Sequence, residues 1–224
     1  MAEQFFKTHD LIFASRPTTA AGKYTSYNYS DILWAPYGPY WRQARKIYLT
    51  EIFSPKKLET YEYALEEEKK SFIRRLYTIG GESFKLREGL TRYTLSSISR
   101  MVLGNNDFGT SVRIEELQEM FNEWFFLGGV FNIGDWIPWL GFLDLQGYMK
   151  RMKGFYRKSD KFHNDVISEH KRNNNKRMEL GVEEDMVDVL LKFANDPNLE
   201  VKLTSDCVKG LIQVLIIYNI FFRY

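Results

Sequence analysis

The chain has 224 residues, a length that one hydrophobic core can fill, so a single domain is expected. Hydrophobic residues make up 44% and charged residues 27%, which excludes a disordered protein, while 16% aromatic residues indicate a large packed interior or a pocket for a flat apolar ligand. The net charge of +2 excludes a nucleic-acid-binding footprint, and the one cysteine, Cys207, excludes an internal disulfide framework and a multi-cysteine zinc site.

The first fifty residues predict two short helices with a loop between them. Residues 2–13 have a helical pattern that ends at Ser15-Arg16-Pro17, because the residue before a proline is pushed out of the helical region. Residues 23–34 carry three tyrosines among small polar residues with no helical period, which is typical of a loop or an extended segment. Pro39 then begins a compact helix that runs to about Ile52, since proline suits the first helical turn.

The remaining helices are predicted from apolar residues spaced three, four and seven apart, and from their end signals. In chain order these helices run from Ser54-Pro55 to Gly80-Gly81, from about Leu86 to Gly104-Asn105-Asn106, from Ile114 to Gly128-Gly129, from Tyr148 to about Arg172, from Glu183 to Phe193, and from Thr204 or Ser205 onwards. Residues 130–147 predict a compact aromatic loop. The fold class is therefore all-α, with about seven helices and long connections.

Two features bear on where the protein resides. The first ten residues are polar and do not form a signal peptide. No stretch reaches the roughly 18 apolar residues that a membrane span needs. These features predict a soluble, intracellular chain.

Trp41 and Arg45 form the first candidate site. They are four residues apart in the helix predicted to start near Pro39, so they should stack on one helix face. An indole N–H and a guanidinium offer only hydrogen-bond donors, which suits a carboxylate or a phosphate. The alternative is a surface arginine that lies over a half-buried tryptophan, a common packing arrangement. The spacing leaves both interpretations open.

The histidines and the cysteine are predicted to have structural rather than catalytic or metal-binding roles. His9, His163 and His170 are too few and too far apart for a metal site, and the last two are expected on a solvated helix surface. Cys207 lies in a helical stretch with no glycine-rich loop, which favours a buried structural cysteine over a reactive or metal-ligating one. There is no dinucleotide-binding, phosphate-binding or serine-hydrolase glycine motif. The residues alone therefore predict a helical domain with one anion-binding candidate.

Several short motifs, in a fixed order along the chain, indicate a resemblance to a known protein family. The motifs are Ser15-Arg16-Pro17, Tyr37-Gly-Pro-Tyr-Trp-Arg-Gln-Ala-Arg-Lys46 followed by Ile52-Phe53-Ser54, Ile98-Ser-Arg-Met-Val-Leu-Gly104, Phe131-Asn-Ile-Gly-Asp-Trp-Ile-Pro-Trp139, Asp144-Leu-Gln-Gly-Tyr-Met-Lys150 and Asp185-Met-Val-Asp-Val-Leu-Leu191. This string, which covers the chain to about Gln213, resembles the plant microsomal cytochromes P-450. The overall look is that of the flavonoid 3'-hydroxylase-like group.

The resemblance implies an incomplete cytochrome P-450 fold, from about helix B to the start of helix I. In full length, the family is a haem-thiolate monooxygenase that inserts one oxygen atom into a small lipophilic or phenolic plant metabolite, such as a flavonoid or terpenoid. Its electrons come from NADPH through NADPH-cytochrome reductase, at the cytosolic face of the endoplasmic-reticulum membrane. The haem-thiolate loop and the N-terminal membrane anchor of the family are expected to be missing here. The chain is then expected to be cytoplasmic, to hold no stable haem and to be inactive alone; the alternative is a cofactor-free helical binding or scaffold protein.

The resemblance also implies roles for particular residues. Trp41 and Arg45 match the pair that hydrogen-bonds a haem propionate in relatives. Neither a catalytic residue nor an axial metal ligand is expected in this chain. The substrate-pocket candidates come from a loop and from the end of helix F, and they are Tyr24, Tyr27, Tyr29, Ile32, Leu33, Phe126, Leu127 and Phe131.

The last eleven residues depart from the family pattern. From Val214 to Tyr224 the chain is rich in isoleucine and aromatic residues, where relatives carry small residues, an acid and a threonine. Such a bias is typical of translated A/T-rich non-coding DNA, and a valine codon begins with the two bases of a splice donor, so residues 214–224 are predicted to be an aberrant tail. The last helix, residues 211–222, is expected to be the worst covered, with apolar patches left exposed.

Overall fold

The computed structural model describes residues 1–81, 83–104, 114–179 and 184–221, and for residues 114, 173–179 and 217–221 it describes the backbone alone. Over these residues the chain is mostly helical and contains no β-strand, which confirms the all-α prediction. Their α-helices, in chain order, are Asp10–Phe13 (α1), Ala20–Thr25 (α2), Pro39–Ile47 (α3), Pro55–Ile79 (α4), Leu86–Leu103 (α5), Ile114–Gly129 (α6), Ile133–Trp136 (α7), Tyr148–Glu179 (α8), Met186–Ala194 (α9) and Ser205–Phe221 (α10). Two π-helical turns, Gln4–Thr8 and Tyr48–Ile52, and a 3-10 helix, Pro138–Leu143, complete the set.

The helix ends follow the predicted end signals. The Ser54 hydroxyl accepts a hydrogen bond from the backbone N–H of Lys57, and Pro55 occupies the first turn of α4. Gly80 ends this helix in the left-handed conformation with φ of 57°, which glycine adopts without a steric penalty. Thr204 caps α10 by accepting from the N–H of Cys207. Local chemistry therefore sets these boundaries.

Some predicted boundaries differ from the structure. α2 begins before residues 23–34, the segment predicted to be a loop, and extends into it to Thr25, because the Thr19 side chain caps this helix and tertiary packing against α6 and α8 stabilises it. α8 continues to Glu179, past the predicted end at Arg172. The predicted ending at 105–106 and the predicted beginning at Glu183 lie outside the described residues.

Over residues 208–216, α10 is a central helix, contrary to the expectation that the last helix would be the worst covered; the side chains of residues 217–222 lie outside the described part of the chain. It packs against α5, α8 and α9. The buried apolar side chains on it are Val208, Leu211, Ile212, Val214, Leu215 and Ile216. A helix whose successive residues are all buried is surrounded on every side, which is typical of the centre of a domain. The cover comes from helices of this same chain.

Exposed apolar side chains occur elsewhere, and many lie in residues 131–145, which we call the aromatic segment. Trp139 is 74% exposed and Phe142 is 81% exposed. The segment is compact, as predicted, since the Phe131 and Trp136 rings stack with centroids 5.7 Å apart. These exposed apolar side chains lie away from the last helix, and the contiguous apolar patch stays a prediction. Among the described helices, none has the length and apolar character needed to cross the bilayer.

Candidate functional site

Trp41 and Arg45 lie on one face of α3, as their spacing predicts. The Arg45 guanidinium carbon is 5.2 Å from the centroid of the Trp41 ring, and the arginine is exposed to solvent. α3 begins at Pro39 directly after Gly38, so this pair lies within its first two turns. A guanidinium held in this way presents its N–H groups to an anion on the surface of α3.

The indole N–H of Trp41 already has an acceptor. It donates a hydrogen bond to the backbone carbonyl of Ile32 at 3.0 Å. The pair therefore combines both interpretations left open by the sequence. Trp41 is a partly buried packing residue whose indole N–H binds the backbone of Ile32, and Arg45 remains exposed to solvent. Its role towards a haem propionate stays a prediction.

Ile32 belongs to residues 26–34, which we call the left-handed loop. Tyr27, Asn28 and Tyr29 have φ angles of 49°, 55° and 61°, a region that residues other than glycine rarely adopt. Three such residues in succession make a tight reversal that apolar periodicity does not reveal. The left-handed loop leads from α2 to α3.

Side chains from other parts of the chain bind the backbone of the left-handed loop. Tyr40 donates to the Ser30 carbonyl and Arg16 donates to the Leu33 carbonyl. Asp31 is fully buried and accepts from the N–H groups of Leu33 and Trp34 through its Oδ1. Burial raises the pKa of the Asp31 carboxyl to about 6, although these N–H groups favour its charged form.

The predicted substrate-pocket residues do not share one surface. Tyr27 and Leu127 are buried in the core, whereas Leu33, Phe126 and Phe131 are exposed. The remaining candidates, Tyr24, Tyr29 and Ile32, are partly buried. Their neighbours also differ: Tyr27 packs on α8, Phe126 lies under the Arg151 guanidinium, and Phe131 stacks within the aromatic segment. Their role in binding a substrate therefore stays a prediction.

Tyr27 is the centre of a buried polar cluster that sequence reasoning missed. Its hydroxyl lies 2.9 Å from Nδ1 of His163, and both side chains are at most 2% exposed. Ser159, one helical turn before the histidine, lies beside them and donates to Gln213 on α10. We call Tyr27, Ser159, His163 and Gln213 the tyrosine–histidine clamp. The i, i+4 spacing of serine and histidine was the one signal available for it in the sequence.

The environment keeps the clamp uncharged. Burial lowers the pKa of His163 to about 4, and the nearby Lys209 ammonium also opposes its protonation. Burial raises the pKa of the Tyr27 phenol above its usual range. The prediction that His163 lies on a solvated surface is therefore wrong, because its helix face is covered by α10 and the left-handed loop. A cavity of about 10 Å3 lies beside the clamp, and it is large enough for about one water molecule.

His170 is also buried, again contrary to the prediction. Its Nε2 lies 3.0 Å from Oδ2 of Asp185, and its Nδ1 donates to the Val166 carbonyl. Burial alone would lower the pKa of His170, but the hydrogen bond and the charge of Asp185 outweigh it and raise this pKa. Asp188 lies close enough to complete a three-ligand set for a metal, yet both aspartates already form the capping box of α9. This cluster is best explained as an ion pair that joins α8 to α9.

The arrangement as a whole defines a known class of helical domain. A solved structure of a zebrafish cytochrome P450 with abiraterone matches 97% of this chain and 46% of its own, with a TM-score of 0.72 and 19% identity. A second zebrafish structure, with progesterone, matches 94% of this chain and 46% of its own, with a TM-score of 0.68. The fold is therefore the cytochrome P450 fold, present in part.

Sequence comparison gives the family. The family model for cytochrome P450 matches residues 1–217, so the chain belongs to the cytochrome P450 family. A flavonoid 3'-monooxygenase of Petunia hybrida is 35% identical over 97% of this chain and 43% of its own length. Trimethyltridecatetraene synthase of Zea mays is 35% identical over 96% of this chain and 42% of its own. The plant resemblance is confirmed, and the chain spans less than half the length of these relatives.

Proposed function

We propose that these residues form part of a plant haem-thiolate monooxygenase. The observation that carries the proposal is the family match over residues 1–217. The names of the similar plant proteins, a flavonoid 3'-monooxygenase and a trimethyltridecatetraene synthase, support a small lipophilic or phenolic metabolite as the substrate class. Electrons would come from NADPH through NADPH-cytochrome reductase, at the cytosolic face of the endoplasmic reticulum.

In this proposal Arg45 is the main donor to one haem propionate. Its guanidinium is exposed, and the stacking on Trp41 limits the directions in which it can point. Trp41 would have to release the Ile32 carbonyl before it could donate to the same carboxylate. The two residues would thus contribute unequally: Arg45 would bind the propionate, and the Trp41 ring would support the Arg45 guanidinium.

In this proposal the described residues offer one exposed guanidinium, that of Arg45, to a single haem propionate. A thiolate-ligated haem, when bound, supplies the activation of dioxygen. The one cysteine of the chain, Cys207, lies in the first turn of α10, where its sulfur is 3.1 Å from the Thr204 hydroxyl. Charge-assisted hydrogen bonds contribute about 1.5–3 kcal/mol each, which is too little to hold a large cofactor against the cost of ordering it. We therefore propose that the 224-residue chain binds no stable haem and has no turnover alone.

The test is the absorption spectrum of the purified 224-residue chain, reduced and exposed to carbon monoxide after expression with a haem precursor. We expect no thiolate-type Soret band. A band that is present in this chain and lost in Cys207→Ser would overturn the proposal, because Cys207 would then be an iron ligand. Arg45→Leu is the matched test of the propionate contact: any residual haem binding should weaken in it and should not weaken in Arg42→Leu, on the same helix.

A second candidate is a cofactor-free helical binding or scaffold protein. The aromatic segment favours it, because exposed tryptophan and phenylalanine side chains are typical of surfaces that hold a partner. Sequencing of transcripts from this locus discriminates the two functions. A transcript that continues in frame into a glycine-flanked cysteine loop supports the monooxygenase, and transcripts that all end at Tyr224 favour the scaffold. A transcript that continues in frame and also keeps residues 214–224 would refute the prediction that this tail is translated from non-coding DNA.

A further inference from the structure

The left-handed loop needs support from outside itself. Its three successive residues with positive φ are two tyrosines and an asparagine; asparagine tolerates this region, whereas tyrosine rarely adopts it. Unlike glycine, they carry a Cβ atom that crowds the backbone in this conformation. A segment of this kind keeps its shape only where other parts of the fold hold it.

The tyrosine–histidine clamp provides a continuous set of hydrogen bonds for this purpose. The Ser159 carbonyl lies 2.8 Å from His163 Nδ1 and can only accept a hydrogen bond, so Nδ1 carries the ring proton. This N–H donates to both the Ser159 carbonyl and the Tyr27 hydroxyl. The Tyr27 hydroxyl lies 3.5 Å from the Ser159 hydroxyl. The Ser159 hydroxyl in turn donates to the side-chain oxygen of Gln213 at 3.1 Å. Gln213 in turn donates to the carbonyl of Thr25 at 2.7 Å. The clamp thus grips the chain immediately before the left-handed loop and again within it.

The clamp joins three separate parts of the sequence. Tyr27 and His163 are 136 residues apart, and Gln213 is 188 residues from Thr25. All of the clamp side chains are buried, so bulk water competes little for their hydrogen bonds. The clamp therefore ties the left-handed loop to α8 and to α10 at the same time.

We infer that Tyr27 and His163 are positioning residues that hold the left-handed loop in its strained conformation. Tyr27 was expected to face a substrate, and the structure instead turns it inward, so that its effect on any ligand above the loop is indirect. That last consequence rests on the proposed function. The positioning itself does not, since it requires neither haem nor substrate.

Amide hydrogen exchange of the full 224-residue chain, read by mass spectrometry, tests the inference. In Tyr27→Phe we expect amides of the left-handed loop to exchange about twofold to about tenfold faster, the range for one lost hydrogen bond whose partners keep their other acceptors. Amides of α10 should change far less. Tyr156→Phe is the matched control, because the Tyr156 ring also packs on Tyr27, with centroids 5.4 Å apart, but it lies outside the clamp.

A pair of variants at His163 separates positioning from general stability. His163→Gln keeps an N–H donor for Tyr27 and should restore most of the protection of the left-handed loop, whereas His163→Leu should lose it. Equal acceleration of the loop and of α10 in both variants would overturn the inference, since the histidine would then serve only global stability. Loop amides that are unprotected in the unsubstituted chain would overturn it as well. The carbon monoxide spectrum tests the proposed function separately, so failure of one is distinguishable from failure of the other.

Discussion

Leu215→Ala tests whether the end of the chain belongs to the native core. Leu215 has no exposed surface, and its helix α10 packs against α5, α8 and α9. The same residue lies in the tail, residues 214–224, that the sequence predicts to be aberrant. A tail that the fold does not use would tolerate alanine at this position without loss of stability.

The expected cost follows from the burial. Replacing a fully buried leucine by alanine removes the transfer free energy of the lost carbons and leaves a cavity, and together these destabilise by about 2–5 kcal/mol. Domains of this kind are stable by about 5–15 kcal/mol, so the loss is a large fraction of the total. With a urea m-value of about 2 kcal/mol per molar, the unfolding midpoint should fall by about 1–2.5 M.

Urea unfolding followed by far-UV circular dichroism measures this change. Leu145→Ala is the matched control, because the same truncation at a side chain that is 65% exposed should change the free energy of unfolding by less than about 0.5 kcal/mol. A lower midpoint with an unchanged slope in Leu215→Ala supports a native α10. Midpoints that coincide in Leu215→Ala and the unsubstituted chain would refute the central position of this helix.

Two further substitutions examine the surroundings of the left-handed loop. Gly22→Ala should destabilise the fold by about 1–3 kcal/mol, since the new Cβ would lie 2.6 Å from the Tyr29 ring. Gly128→Ala should instead stabilise α6 by up to about 1 kcal/mol, because nothing lies within 4 Å of its new Cβ. Melting temperatures that shift in the same direction in both variants would contradict this. Asp31→Asn should stabilise by about 3 kcal/mol above about pH 7, because the pKa of Asp31 is raised from 3.8 to about 6 and the folded chain must hold the charged form there. That gain should vanish as the pH falls through 6 towards 3.8, and a gain independent of pH in unfolding titrations would show that the buried charge is not its cause.

Local patterns in the sequence predict the helical class, most helix boundaries and the family. Helix ends depend on groups a few residues apart, such as Ser54 with Lys57, so a local pattern reveals them. The stacking of Arg45 on Trp41 is local in the same sense, because residues four apart share a helix face. The motif string succeeded for a different reason, since an ordered set of short patterns is specific even when no single pattern is.

Which polar groups are buried, and what they bind, depends on the packing of distant segments. The surface position predicted for His163 was wrong because the partner of its ring, Tyr27, is 136 residues away, and the serine one turn earlier in α8 does not identify that partner. Trp41 was correctly placed on its helix face, but its acceptor, the Ile32 carbonyl, depends on a reversal made by three left-handed residues. α10 is central over residues 208–216 because α5, α8 and α9 pack against it. Apolar periodicity shows that a face is to be buried, and only the assembled fold shows what buries it.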